Sequence, residues 1–177
     1  MKENLFIVPY WKYSLQNWPD IKKRIKNLLK QYPCKLSKNQ NFLSNRHSAH
    51  YHHATPGFVE EIIKIFSDPL QEFAQEVKYN LKIKVAWATS YQQGMDHILH
   101  SHGKCLFTSI VYVDFDPDHH KGTSFKQPFN QFDSGDVCFR IPKVKEGDMI
   151  VCPSNIEHYG PVNTSPLIKT IIGFDLY

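Results

Sequence analysis

From residue 81 onward the hydrophobic pattern takes a period of two, and this limits what the chain can fold into. Leu81-Lys-Ile-Lys-Val-Ala-Trp87 alternates apolar with polar side chains, the mark of a strand buried on one face. Cys105-Leu-Phe-Thr-Ser-Ile-Val-Tyr-Val-Asp-Phe115 is rich in β-branched and aromatic residues and predicts a longer strand. Val137-Cys-Phe-Arg-Ile141, Asp148-Met-Ile-Val-Cys152 and Ile168-Lys-Thr-Ile-Ile-Gly-Phe174 predict three more, with a polar loop over 116–136 that contains His119 and His120. Several short strands separated by turns build an antiparallel sandwich or barrel. The expectation is a jelly-roll barrel over 81–177.

Residues 1–80 read differently. A short strand is expected at Leu5-Phe-Ile-Val8, ended by Pro9. Pro19-Asp20 opens a helix carrying Ile21, Ile25, Leu28 and Leu29 at helical spacing until Pro33, with proline in the first turn. Residues 34–54 read as a loop. Thr55-Pro56 and Asp68-Pro69 are two further helix starts. The first precedes the stripe Phe58, Val59, Ile62, Ile63 and Phe66, the second Leu70, Phe73, Ala74 and Val77. Such stripes pack against the outside of a sheet and brace it. With no repeat, linker or low-complexity tract, the reading is one domain over 1–177: mainly β with N-terminal helices (α+β).

Within the strand region, Gly94-Met-Asp-His-Ile-Leu-His100-Ser-His102 is answered far downstream by Pro153-Ser-Asn-Ile-Glu-His158. Residues i and i+2 of a strand share a face, so His100 and His102 point together. With His158 they could close one triangular face around an ion and leave the opposite positions open. Lys169 lies inside the apolar run at the C-terminus; a buried ammonium needs a partner, and an anionic ligand would supply it. A second tract, Arg46-His-Ser-Ala-His-Tyr-His-His53, could form another metal or substrate patch, but no periodicity fixes those imidazoles, and flexible His tracts make poor sites.

Composition adds bounds. A chain of 177 residues suits one core. The net charge of +4 is scattered, and its one cluster, Lys22-Lys-Arg24, reads as a solvated helix face, so nucleic-acid binding is not expected. Four cysteines without Cys-x-x-Cys spacing suit a reducing, cytoplasmic compartment. No apolar stretch is long enough for a signal core or a membrane span, so a soluble protein is expected.

These residues resemble the non-haem Fe(II)- and 2-oxoglutarate-dependent dioxygenases, a double-stranded β-helix (jelly-roll, cupin-like) family, and within it the small phage-associated branch. Trp87-Ala-Thr-Ser-Tyr-Gln-Gln-Gly94, His100-Ser-His102, Phe107-Thr-Ser-Ile-Val-Tyr-Val113 and the segment from Gly147 through His158 to Lys169 carry the resemblance, which covers 81–177. It implies Fe(II) held by His100, His102 and His158, 2-oxoglutarate anchored by Lys169, and use of O2 to hydroxylate a C–H bond, with release of succinate and CO2. The substrate would be a small molecule or a peptide, contacted by loops around 41–53 and 116–136. Two departures stand out. His102 occupies the place of the commoner carboxylate ligand, and three imidazoles also suit Zn(II), Ni(II) or Cu(II). Ile171 stands where relatives often have a serine, so the missing hydroxyl falls to Thr108, Tyr91 or Tyr112.

A cupin-type metalloenzyme is the nearest rival: Gly94-x5-His100-x-His102 fits the first cupin motif, and Gly147-x5-Pro153 with His158 and Asn163 approximates the second. Its usual glutamate after His-x-His is absent, however, with Lys104-Cys-Leu-Phe107 in its place, and Lys169 would have no role. A non-catalytic jelly-roll binding protein is the third possibility.

Overall fold

A computed structural model describes residues 7–36, 42–49 and 57–177. In chain order the elements are β1 (Trp11–Ser14), α1 (Trp18–Gln31), β2 (Lys35–Leu36), β3 (Leu43–Ser48), α2 (Phe58–Ile65), α3 (Ser67–Val77), β4 (Ile83–Tyr91), β5 (His97–His100), β6 (Phe107–Asp114), β7 (Ser124–Lys126), β8 (Phe139–Arg140), β9 (Asp148–Pro153), β10 (His158–Gly160) and β11 (Lys169–Leu176). Two antiparallel sheets result, one of seven strands in the order β1-β9-β6-β11-β4-β3-β2 and one of four in the order β5-β10-β7-β8. Mainly β with supporting helices is the observed class. Among the described residues the ladders form two sheets rather than one closed barrel.

Strand β11 organises the large sheet, paired with β4 on one side and β6 on the other, and all eight of its residues are buried. Period two divides them. Ile172, Phe174 and Leu176 join Ala86, Ala88, Val111, Val113, Met149 and Val151 in a core shared with Ile25, Phe58, Ile62 and Phe73 from the three helices. Ile171 belongs to a second core with Tyr91, Ile110, Tyr112 and Ile150, on the opposite face. One face of the sheet is therefore backed by helices, and the other faces the interior where the site lies. Fully burying each aliphatic or aromatic side chain is worth about 1.5–3 kcal/mol, so the helical layer contributes to the stability of the sheet it covers.

The helix starts after Asn17 and near Asp68 fall where proline placed them. The start at Thr55-Pro56 lies outside the described residues, and α2 has Gly57 at its N-cap. Several boundaries differ from the sequence reading. Residues 7–10 form no strand, while Leu5 and Phe6 lie outside the described residues; the strand is β1, after Pro9, with alternating half-buried and exposed residues. The loop expected over 34–54 contains β3, whose polar run Leu-Ser-Asn-Arg-His-Ser hides a strand held by its ladder to β4. The polar loop over 116–136 contains β7. The expected 137–141 strand shrinks to β8, paired with β7. The basic cluster on α1 is ion-paired: Lys22 to Glu146 at 2.8 Å and Arg24 to Glu61 at 2.6 Å.

Candidate metal centre

The three predicted imidazoles meet. In the small sheet β10 pairs with β5 so that His158 sits opposite His100. His102 lies beyond the end of β5, not within it, and is fixed by its own amide, which donates to the Ser154 carbonyl at 2.8 Å. One ring nitrogen from each of His100, His102 and His158 lies within 4.8 Å of the other two. The strand geometry that predicted His100 and His102 side by side is thus replaced by a strand end and a turn, with the same convergence.

The other ring nitrogens decide the donor chemistry. His100 Nδ1 is 2.8 Å from the Ile98 carbonyl, His158 Nδ1 2.9 Å from the Ile156 carbonyl, and His102 Nδ1 3.0 Å from Asp175 Oδ1. Carbonyl and carboxylate oxygens only accept, so each Nδ1 carries the proton and each Nε2 presents a lone pair. Burial, together with the neighbouring imidazoles, holds His158 down to about 4 and moves His100 in the same direction. Both rings are therefore neutral at ordinary pH, as ligation requires. Three imidazole nitrogens converging from one side fit a divalent first-row metal, Fe(II) included.

Packing clamps the cluster. Trp87 on β4 stacks on His102 with centroids 5.2 Å apart and planes 11° apart, and His102 lies parallel to His158 at 5.2 Å. Room for the indole comes from Gly173, directly across the ladder; a Cβ there would stand 2.4 Å from the Trp87 ring. His97 stacks on His100 at 4.2 Å and on Phe42 at 4.1 Å. A cleft of about 200 Å³ opens beside these rings, lined by Phe42, Arg46, Trp87, Thr89, His97 and His102 among others.

Lys169, at the start of β11, is buried, with 3% of its surface exposed. Its ammonium lies 4.3 Å from the centroid of the Tyr91 ring and donates to the Lys121 carbonyl at 3.3 Å. Desolvation alone pushes its pKa down to about 8, with no carboxylate contributing. Tyr91 is buried beside it, and its hydroxyl would lie 2.9 Å from a Cβ at Gly160. Tyr112 is also buried, its hydroxyl accepting from the Thr123 amide at 3.1 Å, and burial pushes its pKa up to about 12. Thr108 lies elsewhere: it pairs with Asp175 at the far end of β11 and donates to Oδ1 of that residue at 3.1 Å. The hydroxyl facing Ile171 is that of Thr89, across the ladder, fully buried with Oγ1 unpartnered among the described residues.

Other sequence candidates have local roles. His120 accepts from the Asp116 amide and donates to the Leu167 carbonyl, tying the 116–120 turn to the segment before β11. Asn163, weighed as part of a cupin motif, donates to the Tyr91 and Leu167 carbonyls. Of the 46–53 tract, Arg46 lies over Trp87 at 5.6 Å and His47 stacks on Phe58 at 4.6 Å; residues 50–53 lie outside the described residues. The sequence reading missed Asp175, Trp87, Thr89 and His97. Period two along β11 was the available signal for Asp175, since Lys169, Ile171, Gly173 and Asp175 share one face.

No family model and no curated protein matches the sequence. Solved structures do share the fold. The chain is similar to a viral collagen prolyl hydroxylase of Paramecium bursaria Chlorella virus-1, solved with 2OG, at TM-score 0.66 and 16% identity over 94% of each chain. It is similar to a Pseudomonas putida prolyl-4-hydroxylase at TM-score 0.65 and 8% identity, covering 95% of this chain and 92% of that one. A non-haem alpha-ketoglutarate-dependent epimerase from nogalamycin biosynthesis aligns at TM-score 0.71 and 8% identity, covering 96% and 78% respectively. The fold is that of the 2OG-Fe(II) oxygenases.

Proposed function

We propose that the chain is an Fe(II)- and 2-oxoglutarate-dependent dioxygenase that hydroxylates a C–H bond of a small molecule or peptide. Lys169 carries this reading: a buried cation without a carboxylate partner among the described residues, on the same strand whose far end supports His102. A three-histidine site alone would suit a cupin equally well; the cation needs an anion, and a dicarboxylate cosubstrate brings one. In this reading His100, His102 and His158 hold Fe(II), which, with O2 and 2-oxoglutarate bound, supplies the oxidising chemistry. Lys169 pairs with the far carboxylate, a charge-assisted contact strengthened by low local dielectric. The Tyr91 ring walls that subsite, and Thr89 Oγ1 offers the hydroxyl that Ile171 lacks. Phe42, Trp87 and Ile98 give the cleft beside the imidazole cluster apolar walls.

We also assign the protein to a reducing, cytoplasmic compartment, supported by four unpaired cysteines; among the described residues no helix is long and apolar enough to cross a membrane. The functional test is succinate formation from 2-oxoglutarate with added Fe(II) under oxygen. Slow uncoupled turnover is expected from the parent chain and none from Lys169→Ala or His158→Ala. Absence of turnover, together with no 2-oxoglutarate-dependent rise in melting temperature, overturns the proposal.

A further inference from the structure

The three imidazoles are not held alike. His100 and His158 donate Nδ1–H to neutral backbone carbonyls, whereas His102 donates to a carboxylate, Asp175 Oδ1, at 3.0 Å. Asp175 is 2% exposed. Its Oδ1 also accepts from Thr108 at 3.1 Å, and its Oδ2 lies 3.7 Å from an Arg46 guanidinium that is itself largely exposed. The strand register places Thr108 opposite Asp175, so the carboxylate is locked between two strands and aimed at one ring. Trp87 covers the face of that same ring at 5.2 Å.

Burying a carboxylate is expensive, and an apolar pair would fill a sheet interior more cheaply. Ile171 opposite Tyr112 does so a few residues along on the same two strands. The carboxylate therefore has a use beyond packing. A carboxylate accepting from a ligating imidazole fixes its tautomer and orientation and raises its basicity toward the metal. Resting on the metal reading above, we infer that Asp175 is the positioning residue of this centre: through His102 Nδ1 it returns, one bond behind the ligand, the negative charge that a directly coordinating carboxylate would have placed on the ion.

The test uses Co(II) and Zn(II) as probes and needs no turnover. Co(II) is titrated into the metal-free full chain, followed by its d–d absorption. Asp175→Asn keeps the size and the acceptor oxygen but loses the charge; it is expected to weaken Co(II) binding about 10–100-fold and to shift the d–d bands. Thr108→Val removes a hydrogen bond to Asp175 but leaves the carboxylate, and is expected to stay within about threefold of the parent, since the charge behind His102 remains. In the Zn(II)-loaded parent, the His102 Nδ1 proton is expected downfield of those of His100 and His158 in the NMR spectrum, a reading independent of whether Asp175→Asn folds. Parent-like Co(II) affinity in Asp175→Asn, or three indistinguishable Nδ1 protons, overturns the inference while leaving the metal site standing. A parent chain that takes up no Co(II) overturns the metal reading, and the role of Asp175 falls with it.

Discussion

Under the proposed function, Lys169 combines a stability penalty with the contact to the cosubstrate. Its pKa falls from 10.5 to about 8 because water is removed from the ammonium. Between those values the unfolded chain binds more protons than the folded one, so this residue makes stability rise with pH across that window. Its penalty is fully present below about pH 8 and amounts to about 3 kcal/mol, an order-of-magnitude figure from the size of the shift. Lys169→Met should therefore be more stable than the parent at neutral pH in urea denaturation, by about 1–3 kcal/mol, with the gap shrinking as pH approaches 10. Saturating 2-oxoglutarate should stabilise the parent and not the variant. Equal stabilities at neutral pH would mean that the ammonium is solvated. This residue was legible in the sequence because a charge interrupts an apolar run. Asp175 was harder to read: period two places it on the face of Lys169, but near the end of the chain an acidic residue reads as solvent-facing, and the ladder to Thr108 shows that this face is interior.

At the scale of the element, β11 separates stability from chemistry by the parity of its residues. Even positions seal the helix-backed core, while odd positions run from Lys169 to Asp175 along the interior. Gly173 is the point of contact between the two tasks, because the Trp87 indole occupies the space of its absent side chain. Gly173→Ala should displace Trp87 from His102. The expected result is a destabilisation of about 1–3 kcal/mol, typical of overpacking, with altered Trp fluorescence and weaker Co(II) uptake; thermal denaturation and metal titration read the two effects separately. The strand's existence was readable from its β-branched run. Its two-sided burial was not, since continuous apolar character leaves open which face meets what. β3 escaped for the opposite reason: its side chains are polar, and the ladder to β4 defines it.

Across the whole molecule, the helices form a backing layer on the sheet face opposite the site. Phe73 on α3 is fully buried and packs edge-on against Trp11 and Phe107 at 5.0 Å each. Phe73→Ala should cost about 3–5 kcal/mol of folding stability, yet leave the Co(II) affinity of the folded protein at the parent value. A change in both would mean that the helical layer also shapes the site. The division into strand-rich and helix-rich halves was legible from the switch in period at residue 81. The pairing of His158 with His100 in a separate small sheet was not, because two- to four-residue strands carry too little pattern to read. In that sheet lies a last consequence. Two imidazoles are aimed by backbone carbonyls two residues before them and the third by a buried carboxylate, so the donors are assembled by the polypeptide and not by an ion. Metal can then leave and return without the chain unfolding, unlike a zinc finger. Under the proposed function, occupancy becomes a matter of supply: a site with three imidazoles and, among the described residues, no carboxylate ligand would take whichever divalent ion its surroundings keep abundant, and exchange of iron for a tighter-binding competitor would silence the protein without unfolding it.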